Sequence, residues 1–371
     1  MDTSKRSVLV TGVSHYWGSL LVPLLEADPD LDPIIGIDFK ASPKPFKRLQ
    51  FFQVSPHHPL LAELLKAAKV DTVCHLLFLD SYSYKEEYFN INMMGAMDLV
   101  AACAAGEVAR LIIKSDTKVY GASFDNPALL SEDAELKARY RHRYIQDRVE
   151  IEKFLAGFSK RHVSPNITVL RFANILGQTA ETQTGRYLDS HFAPVALGYD
   201  PLLQFTHEQD VVAALYQTIK REISGPLNIA GAGVLPLSQV LKIGAKIPLP
   251  LVSPLFNPGA RLLRRTGLIS SIPLETDYLK FNCLGDTARM REELNFSPQY
   301  SSRDTVREFF QYRRARKYFP PEARIEPDAG TDLLRQWIQC KRQEACEPTD
   351  IIENFKQESC HDSDQLEHFD E

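Results

Sequence analysis

No apolar run in this sequence is long enough to cross a membrane, and its six cysteines form no C-x-x-C pair. The first absence argues against a membrane-spanning helix, and the second gives no support for a metal site. The net charge of −5 gives no reason to expect a nucleic-acid partner. No secretion signal fits the start of the chain. We therefore expect a reduced, cytoplasmic protein.

The most informative segment of the chain is residues 8–18, VLVTGVSHYWG. An apolar strand runs into a tight turn, and an amphipathic helical pattern follows at once. Backbone amides at the start of such a helix can hold a pyrophosphate. A second strand ends about twenty residues later in Asp38, where a ribose hydroxyl would find an acceptor. The pattern predicts a dinucleotide-binding loop.

One position of this loop departs from the expected G-x-x-G-x-x-G pattern, because His15 stands where the middle glycine belongs. Histidine tolerates a left-handed backbone better than most residues, and its ring can donate to a phosphate. Alternatively, the ring points outward and the loop binds its cofactor more weakly. The sequence leaves both interpretations open.

Strand and helix signals alternate along the first half of the chain, as in a parallel α/β sheet. We predict strands in residues 70–79, 111–115 and 168–172, and helices in residues 90–106, 144–159 and 210–221. Residues 178–206 are interpreted as loop-rich. The fold class is therefore α/β, a Rossmann-type doubly wound parallel sheet with a smaller C-terminal substrate lobe.

The domain organisation follows from where this alternation stops. The predicted divisions are a dinucleotide-binding domain at 1–177 with core residues 205–232, a substrate lobe at 178–204 and 233–320, and a C-terminal extension at 321–371, acidic and disordered from about residue 344. Residues 245–275 mix prolines, leucines and a basic cluster. They indicate either a lobe loop with a surface helix or an apolar, membrane-facing segment.

Seven short segments in order resemble the extended short-chain dehydrogenases, the NAD-dependent epimerase/dehydratase family. They are TGVSHYWG at 11–18, HLL at 75–77, NMMG at 92–95, SDTKVYG at 115–121, LRFANILG at 170–177, HEQDV at 207–211 and PLNIA at 226–230. The resemblance covers roughly residues 7–312. It implies NAD as the cofactor, with Lys40 near Asp38 leaving NADP as an alternative.

The family's chemistry is hydride transfer to or from nicotinamide, assisted by a tyrosine and a lysine four residues later. By register this pair falls on Tyr144 and Arg148, so arginine replaces lysine. Arginine keeps the positive charge but places its donors differently. The literal Tyr-x-x-x-Lys at Tyr216 and Lys220 lies elsewhere in the pattern and is interpreted as coincidence.

The family's oxygen-binding serine falls on Asp116, whose charge would raise the pKa of a nearby tyrosine. A pair between Asp116 and Arg148 would relieve this repulsion. The catalytic candidates implied by the resemblance are Tyr144, Arg148, Asp116, Ser115 and Thr117. The cofactor-binding candidates are Gly12, His15, Tyr16, Trp17, Gly18, Asp38, Leu77 and Asn92. The substrate-binding candidates are Tyr82, Tyr120, Asn174 and His207, and no metal ligand is predicted.

Leu203 bears on the substrate. Nucleotide-sugar members usually carry an arginine four residues before the histidine that corresponds to His207. Leucine there, with the apolar stretch 247–263, favours a less charged, lipid-like hydroxyl or keto substrate.

Three functions remain open at this point. The first is an NAD(P)-dependent oxidoreductase or epimerase/dehydratase with a rebuilt site. The second is a non-catalytic dinucleotide-binding sensor or scaffold, which would explain the simultaneous loss of lysine, serine and middle glycine. The third is a peripheral membrane enzyme. The resemblance also implies a homodimer that pairs through the helices containing Asn92 and Tyr144.

Overall fold

The structure, a computed structural model, describes residues 5–42, 45–79, 86–138, 143–252, 255–269 and 276–318. Within these ranges, the side chains of residues 86, 87, 143, 144 and 317 also lie outside the description. The chain divides into a compact unit of residues 1–314 and a second unit of residues 315–371. Of the second unit, only residues 315–318 are described, as helix.

The secondary structure alternates between strands and helices through the first unit. The strands are β1 Arg6–Thr11, β2 Leu31–Ile37, β3 Gln50–Phe52, β4 Thr72–His75, β5 Arg110–Asp116, β6 Asn166–Phe172, β7 Asn174–Leu176, β8 Phe192–Ala196, β9 Leu202–Leu203, β10 Phe205–His207, β11 Gly225–Ile229, β12 Leu235–Pro236 and β13 Ile247–Leu251. The α-helices are α1 Tyr16–Ala27, α2 Leu61–Ala67, α3 Glu86–Phe89, α4 Gly95–Ala105, α5 Arg143–Ser159, α6 Gln183–Asp189, α7 Glu208–Lys220, α8 Leu237–Ile243, α9 Phe256–Arg265, α10 Ala288–Glu292 and α11 Ser302–Tyr318.

Seven parallel strands form the central sheet in the order β11-β6-β5-β4-β1-β2-β3. Strands β1, β4, β5 and β6 are buried almost throughout, as expected for a parallel sheet that helices cover on both faces. Helices α1 and α7 pack together on one face, and α2, α4 and α5 cover the other. The predicted fold class is confirmed.

A separate apolar core holds the smaller lobe together. It joins residues of β8, α6, α8, α9 and α11, including Tyr187, Leu188, Leu237, Phe256 and Phe309. The domain boundaries predicted from the sequence stay a prediction. No helix in the described residues is long and apolar enough to cross a membrane.

Three details differ from the predicted elements. The strand expected at 70–79 is only the four residues of β4. The helix expected at 90–106 opens with a π-helical turn, Asn90–Met94, in which the Asn92 side chain bonds the backbone N–H and C=O of Leu79. Residues 178–206 contain α6 and β8, because their apolar residues pack in the lobe core.

Candidate active site

The turn between β1 and α1 requires two of its glycines. Gly12 has a φ of +77°, and a Cβ there would lie 2.9 Å from the backbone nitrogen of Leu77. A Cβ on Gly18 would lie 2.3 Å from the carbonyl oxygen of Gly12. Only glycine fits such approaches, so the helix starts tightly against the turn. Both predicted glycines occupy positions where their lack of a side chain is needed.

The first turn of α1 is open to an anion. His15 stands at the N-cap with an extended backbone, φ −91°, and its side chain makes no capping bond. No acidic residue lies in the first turn of the helix. The first N–H groups of a helix lack partners within the helix, so they can bind a phosphate group. The left-handed conformation considered for His15 is not adopted.

The His15 ring instead contacts the acid at the end of β2. His15 Nδ1 lies 2.9 Å from Asp38 Oδ2, which also accepts from the Ser14 N–H at 2.9 Å. The Lys40 N–H donates to Asp38 Oδ1 at 3.1 Å. The carboxylate is fully buried. Burial opposes its charge, but the bonds from His15, Lys40 and Ser14 together lower the pKa of Asp38.

These contacts bear on whether a dinucleotide fits. The glycine turn and the open helix start fit a pyrophosphate, and Asp38 stands where an adenosine ribose would need an acceptor. The His15 ring already bonds the Asp38 carboxylate, so a ribose hydroxyl bound there would compete with the imidazole. His15 Nε2 is buried without a hydrogen-bond partner among the described residues. The site therefore fits the cofactor class, with His15 in direct competition.

Tyr16 connects the cofactor loop to α7. Its hydroxyl donates to the Glu208 carboxylate and lies 2.9 Å from Thr179 Oγ1. Glu208 also accepts from the backbone N–H groups of Gln178 at 2.9 Å and Ala180 at 2.8 Å. Burial and Glu208 raise the pKa of Tyr16. Glu208 was not among the predicted residues; the acid within HEQDV at 207–211 was its only signal.

Residues at and after the end of β4 pack against the turn between β1 and α1. His75 Nδ1 lies 2.7 Å from Thr11 Oγ1, and burial, with the charge of Arg148, lowers the pKa of His75 to about 3. Leu77 is fully buried against Gly12. The Trp17 ring lies 5.1 Å from Lys114 Nζ. Of these, Leu77 and Trp17 were predicted cofactor contacts, and the structure places both beside the turn.

Asp116 ends β5 and is held by Lys118. Its Oδ1 accepts from the Lys118 N–H at 2.8 Å, and its Oδ2 lies 3.5 Å from Lys118 Nζ. Burial opposes ionisation, but the charges of Lys118, Arg148 and Lys114 and the Lys118 N–H lower the pKa of Asp116. The position that carries serine in the related family is therefore an anionic carboxylate, balanced by nearby cations.

Arg148 lies in α5 beside the end of β5. Its Nη1 donates to the Lys114 carbonyl at 3.2 Å, and its guanidinium lies 4.9 Å from the centre of the Phe78 ring. Tyr144 lies one turn earlier in the same helix, but its side chain is outside the described residues. Arg148 is close enough to Asp116 for its charge to contribute to lowering the pKa of that carboxyl.

Ser115 and Tyr120 belong to a buried polar network behind the site. Ser115 Oγ donates to Glu152 at 2.5 Å, and Arg171 binds Glu152 through two nitrogens. The Tyr120 hydroxyl donates to Asn228 Oδ1 at 2.7 Å, and burial raises its pKa to about 12. This pairing joins strands and helices behind the site, and both residues are buried, Ser115 at 2% and Tyr120 at 1% exposure.

One other predicted substrate residue, His207, also lies away from open space. His207 is fully buried at the N-cap of α7, where Nδ1 accepts from the Gln209 N–H and the ring stacks on Tyr300 at 3.8 Å. Its place is explained by capping and packing. Tyr82 lies outside the described residues.

An open pocket lies between the end of β5 and the smaller lobe and encloses about 720 Å³ including its mouth. Its lining is Thr117, Lys118, Asn174, Gln183, Thr184, Tyr187, Leu188, Leu203, Leu237, Tyr278, Leu279, Phe281 and Cys283. Of the predicted residues, Thr117 and Asn174 line it. Leu203 lines it as well, so no arginine stands at that position to meet phosphates. Gln183 Nε2 is buried without a hydrogen-bond partner in the described chain.

No group of three or more histidine, cysteine, aspartate or glutamate side chains that could hold a metal occurs in the residues that the structure describes. Buried Cys74 and Cys103 behave as core residues, since burial raises the pKa of each thiol to about 12. Both thiols are unreactive, because the thiolate is the reactive form and the raised pKa keeps each thiol protonated.

Comparison with known proteins identifies similar sequences and folds. A family model described as the NAD dependent epimerase/dehydratase family matches residues 8–230. An uncharacterized protein of Mycobacterium tuberculosis is 32% identical over 329 residues, covering 85% of each chain. The UDP-glucose 4-epimerase of Yersinia enterocolitica is 28% identical over 184 residues, 46% of this chain and 54% of that protein.

Solved structures share the fold at lower identity. UDP-glucuronic acid 4-epimerase from Bacillus cereus, in complex with UDP-glucuronic acid and NAD, is 19% identical with a TM-score of 0.63, covering 83% of this chain and 99% of that one. The dTDP-glucose 4,6-dehydratase DesIV from Streptomyces venezuelae, with NAD bound, is 17% identical with a TM-score of 0.64. The match covers 85% of this chain and 99% of that one. Identities this low show a common fold and leave the substrate open.

Proposed function

Because the chain belongs to the NAD-dependent epimerase/dehydratase family, we propose that it is an oxidoreductase or epimerase acting on an apolar hydroxyl or keto substrate. The pocket carries this proposal. It is lined by four leucines and Phe281, and it has Leu203 where a nucleotide phosphate would need a cation. An apolar substrate body gains free energy by leaving water for such a lining.

The polar end of the pocket supplies groups for the reacting oxygen. Asp116 is not one of the residues that line the pocket; it bonds Lys118, which does line it, and so holds that cation at the polar end. A keto oxygen requires donors, and Lys118 and Thr117 line the same pocket. When bound, the dinucleotide would accept a hydride from the substrate and, in an epimerase, return it. We assign the proton transfer to Tyr144, with the charge of Arg148 favouring its ionised form.

The remaining predictions are also proposals. We propose, on the family resemblance alone, a homodimer that pairs through the π-helical turn containing Asn92 with α4 behind it and through α5, which contains Tyr144. We also propose a cytoplasmic location. A non-catalytic dinucleotide-binding role is the second candidate, and one observation favours it. Asp116 is an anion close to Arg148, so it draws on the positive charge that a reactive Tyr144 would need.

The first experiment is titration of the purified protein with NAD, NADH, NADP and NADPH by calorimetry and by tryptophan fluorescence. Trp17 lies in the cofactor loop, and a Trp337→Phe variant removes the other tryptophan signal. A substrate panel of sterol-like and acyl alcohols beside nucleotide sugars then tests hydride exchange through absorbance of the reduced cofactor.

Tyr144→Phe should abolish turnover while cofactor binding survives. Tyr216→Phe is the matched control, because Tyr216 belongs to the literal Tyr-x-x-x-Lys and its hydroxyl bonds Asp28 instead. Full activity of Tyr144→Phe would remove that residue from the mechanism. Turnover of nucleotide sugars alone would overturn the apolar substrate. Cofactor binding without hydride exchange on any panel member would favour the non-catalytic candidate.

A further inference from the structure

Residues 244–269 form a basic, acid-free segment. The segment contains Lys246, Arg261, Arg264 and Arg265 and no aspartate or glutamate. It includes β13 and α9. Cations without neighbouring acids in the same segment are electrostatically suited to an anionic partner.

Helix α9 has a wider apolar face than the protein covers. Phe256 and Ala260 are buried in the lobe core, whereas Leu255 and Leu262 are 63% and 62% exposed. Leu255, Gly259 and Leu262 follow one stripe of the helix, by the i, i+4, i+7 spacing. This stripe borders β13, since a Cβ on Gly259 would lie 3.4 Å from Leu251. Leu255 and Leu262 are therefore exposed to solvent on the stripe that borders Leu251.

The exposed apolar surface continues from α9 to the mouth of the pocket. The Leu197 N–H donates to the Leu251 carbonyl at 2.9 Å, and the Leu197 side chain is 57% exposed. Tyr199, two residues on, contacts the Phe281 ring at 5.7 Å, and Phe281 lines the pocket. On its other side Phe281 contacts Phe124, which is 83% exposed.

We define the pocket rim as Phe124, Leu197, Tyr199, Leu255 and Leu262. Basic side chains flank it: Arg261, Arg264 and Arg265 are exposed on α9, and Lys280 Nζ lies 6.0 Å from the centre of the Tyr199 ring. Leucines and aromatics beside arginines are the composition of helices that lie in a membrane interface. A contiguous exposed apolar patch is itself a mark of an interaction site.

We propose that the pocket rim docks on a lipid bilayer that carries anionic headgroups. The exposed leucines and aromatics enter the boundary between headgroups and acyl chains, and the flanking cations pair with the headgroups. The surface stands independently of the cofactor. Only its consequence rests on the proposed function: a lipid-like substrate passes from the bilayer into the pocket without crossing water.

The test is co-sedimentation of the full chain with two kinds of vesicle. One is phosphatidylcholine alone, and the other is phosphatidylcholine in which a quarter of the lipid is phosphatidylglycerol. We expect binding to the anionic vesicles that weakens as salt is added. The variant Leu255→Ser/Leu262→Ser and the variant Arg261→Gln/Arg264→Gln/Arg265→Gln should each lose binding. Each arginine contributes about a fivefold change in partition, so the triple change should cost about a hundredfold.

Matched controls use residues with similar exposure elsewhere. Leu60, which is 54% exposed before α2, gives Leu60→Ser, and the exposed Arg303 gives Arg303→Gln. Both should bind vesicles as the wild type does. Far-ultraviolet circular dichroism and NAD titration of every variant show whether the fold and the cofactor loop are intact. A rim variant that fails either check is replaced by the single change Leu262→Ser.

Three results would overturn the proposal. The first is no binding to anionic vesicles, and the second is vesicle binding that the rim variants retain. The third is a lower molar mass of the rim variants than of the wild type in light scattering, which would make the rim a contact between copies of the chain. Loss of vesicle binding with unchanged NAD affinity supports it. Vesicle binding in a protein that binds no dinucleotide would remove the proposed function and leave the rim proposal standing.

Discussion

Two acids at the same edge of the central sheet differ in what surrounds them. Asp38, after β2, is fully buried and is bonded by the ring of His15 and two backbone N–H groups. Asp116, at the end of β5, retains some exposure and faces Lys118, which lines an open pocket. The Asp38 carboxylate is therefore enclosed, whereas the Asp116 carboxylate is bonded to a residue of the pocket lining.

The difference teaches where this chain tolerates change. At the cofactor side, Gly12 and Gly18 are kept because a Cβ would strike backbone atoms, which cannot move aside. His15 is allowed because its ring turns toward Asp38 and leaves the turn undisturbed. At the other end of the sheet edge, Asp116 is accommodated by Lys118, and Leu203 lies in the pocket wall.

The largest effect is expected from Gly18→Ala, which tests the steric constraint. Its Cβ would fall 2.3 Å from the Gly12 carbonyl oxygen. We expect a stability loss of about 1–3 kcal/mol from overpacking and loss of dinucleotide binding. Urea unfolding and calorimetry measure both. Gly157→Ala is the control, since a Cβ there meets nothing closer than 4.0 Å and helix propensity should improve. Normal binding by Gly18→Ala would show that the turn can relax.

The second effect tests the competition at Asp38. His15→Gly removes the ring from the carboxylate and should tighten NAD binding about tenfold, the worth of one charge-assisted hydrogen bond. Asp38→Asn provides the contrast, because it removes the negative charge and replaces one acceptor oxygen by an N–H donor, and it should weaken binding. Calorimetry without substrate gives both affinities. Weaker binding by His15→Gly would mean that the ring contacts the cofactor itself and does not compete with it.

A smaller effect is expected from Leu203→Arg, which would make the substrate side more like that of nucleotide-sugar enzymes. A cation in the pocket should raise affinity for UDP about fivefold, since a partly exposed ion pair contributes up to about 1 kcal/mol. Leu60→Arg adds the same charge outside the pocket and should leave UDP binding unchanged. Equal gains in both variants would indicate a general charge effect.

The smallest expected effect is a pH dependence of stability from Asp38. Its folded-state pKa is lowered, so its contribution is present above the pKa of an unfolded aspartate, about 4, and is lost as pH falls through the folded value. Asp38→Asn should therefore flatten the loss of stability toward acid, measured by thermal unfolding at a series of pH values. Asp32→Asn, at an exposed position, should follow the wild type. Parallel curves for Asp38→Asn and wild type would contradict the assignment.

Much of the fold could be predicted because its signals are local. The apolar runs of β1, β5 and β6 identify buried parallel strands, and the spacing from Gly12 to Gly18 identifies the turn. The family and its dependence on NAD were predicted from ordered motifs, and both are confirmed. The helix and strand within residues 178–206 escaped prediction, because their apolar residues are spaced for a lobe core formed by distant segments.

The sequence by itself determined the doubly wound sheet and the glycine turn, since each depends on residue type at a fixed spacing. Only the tertiary structure decided which partner each side chain has. It placed His15 on Asp38, Tyr120 in a buried network with Arg171, and Leu203 in the pocket wall. Those contacts join residues far apart in the chain. They form only where folding brings the partners together, so that hydrogen bonds offset the cost of desolvation in the polar contacts, and no local pattern encodes this.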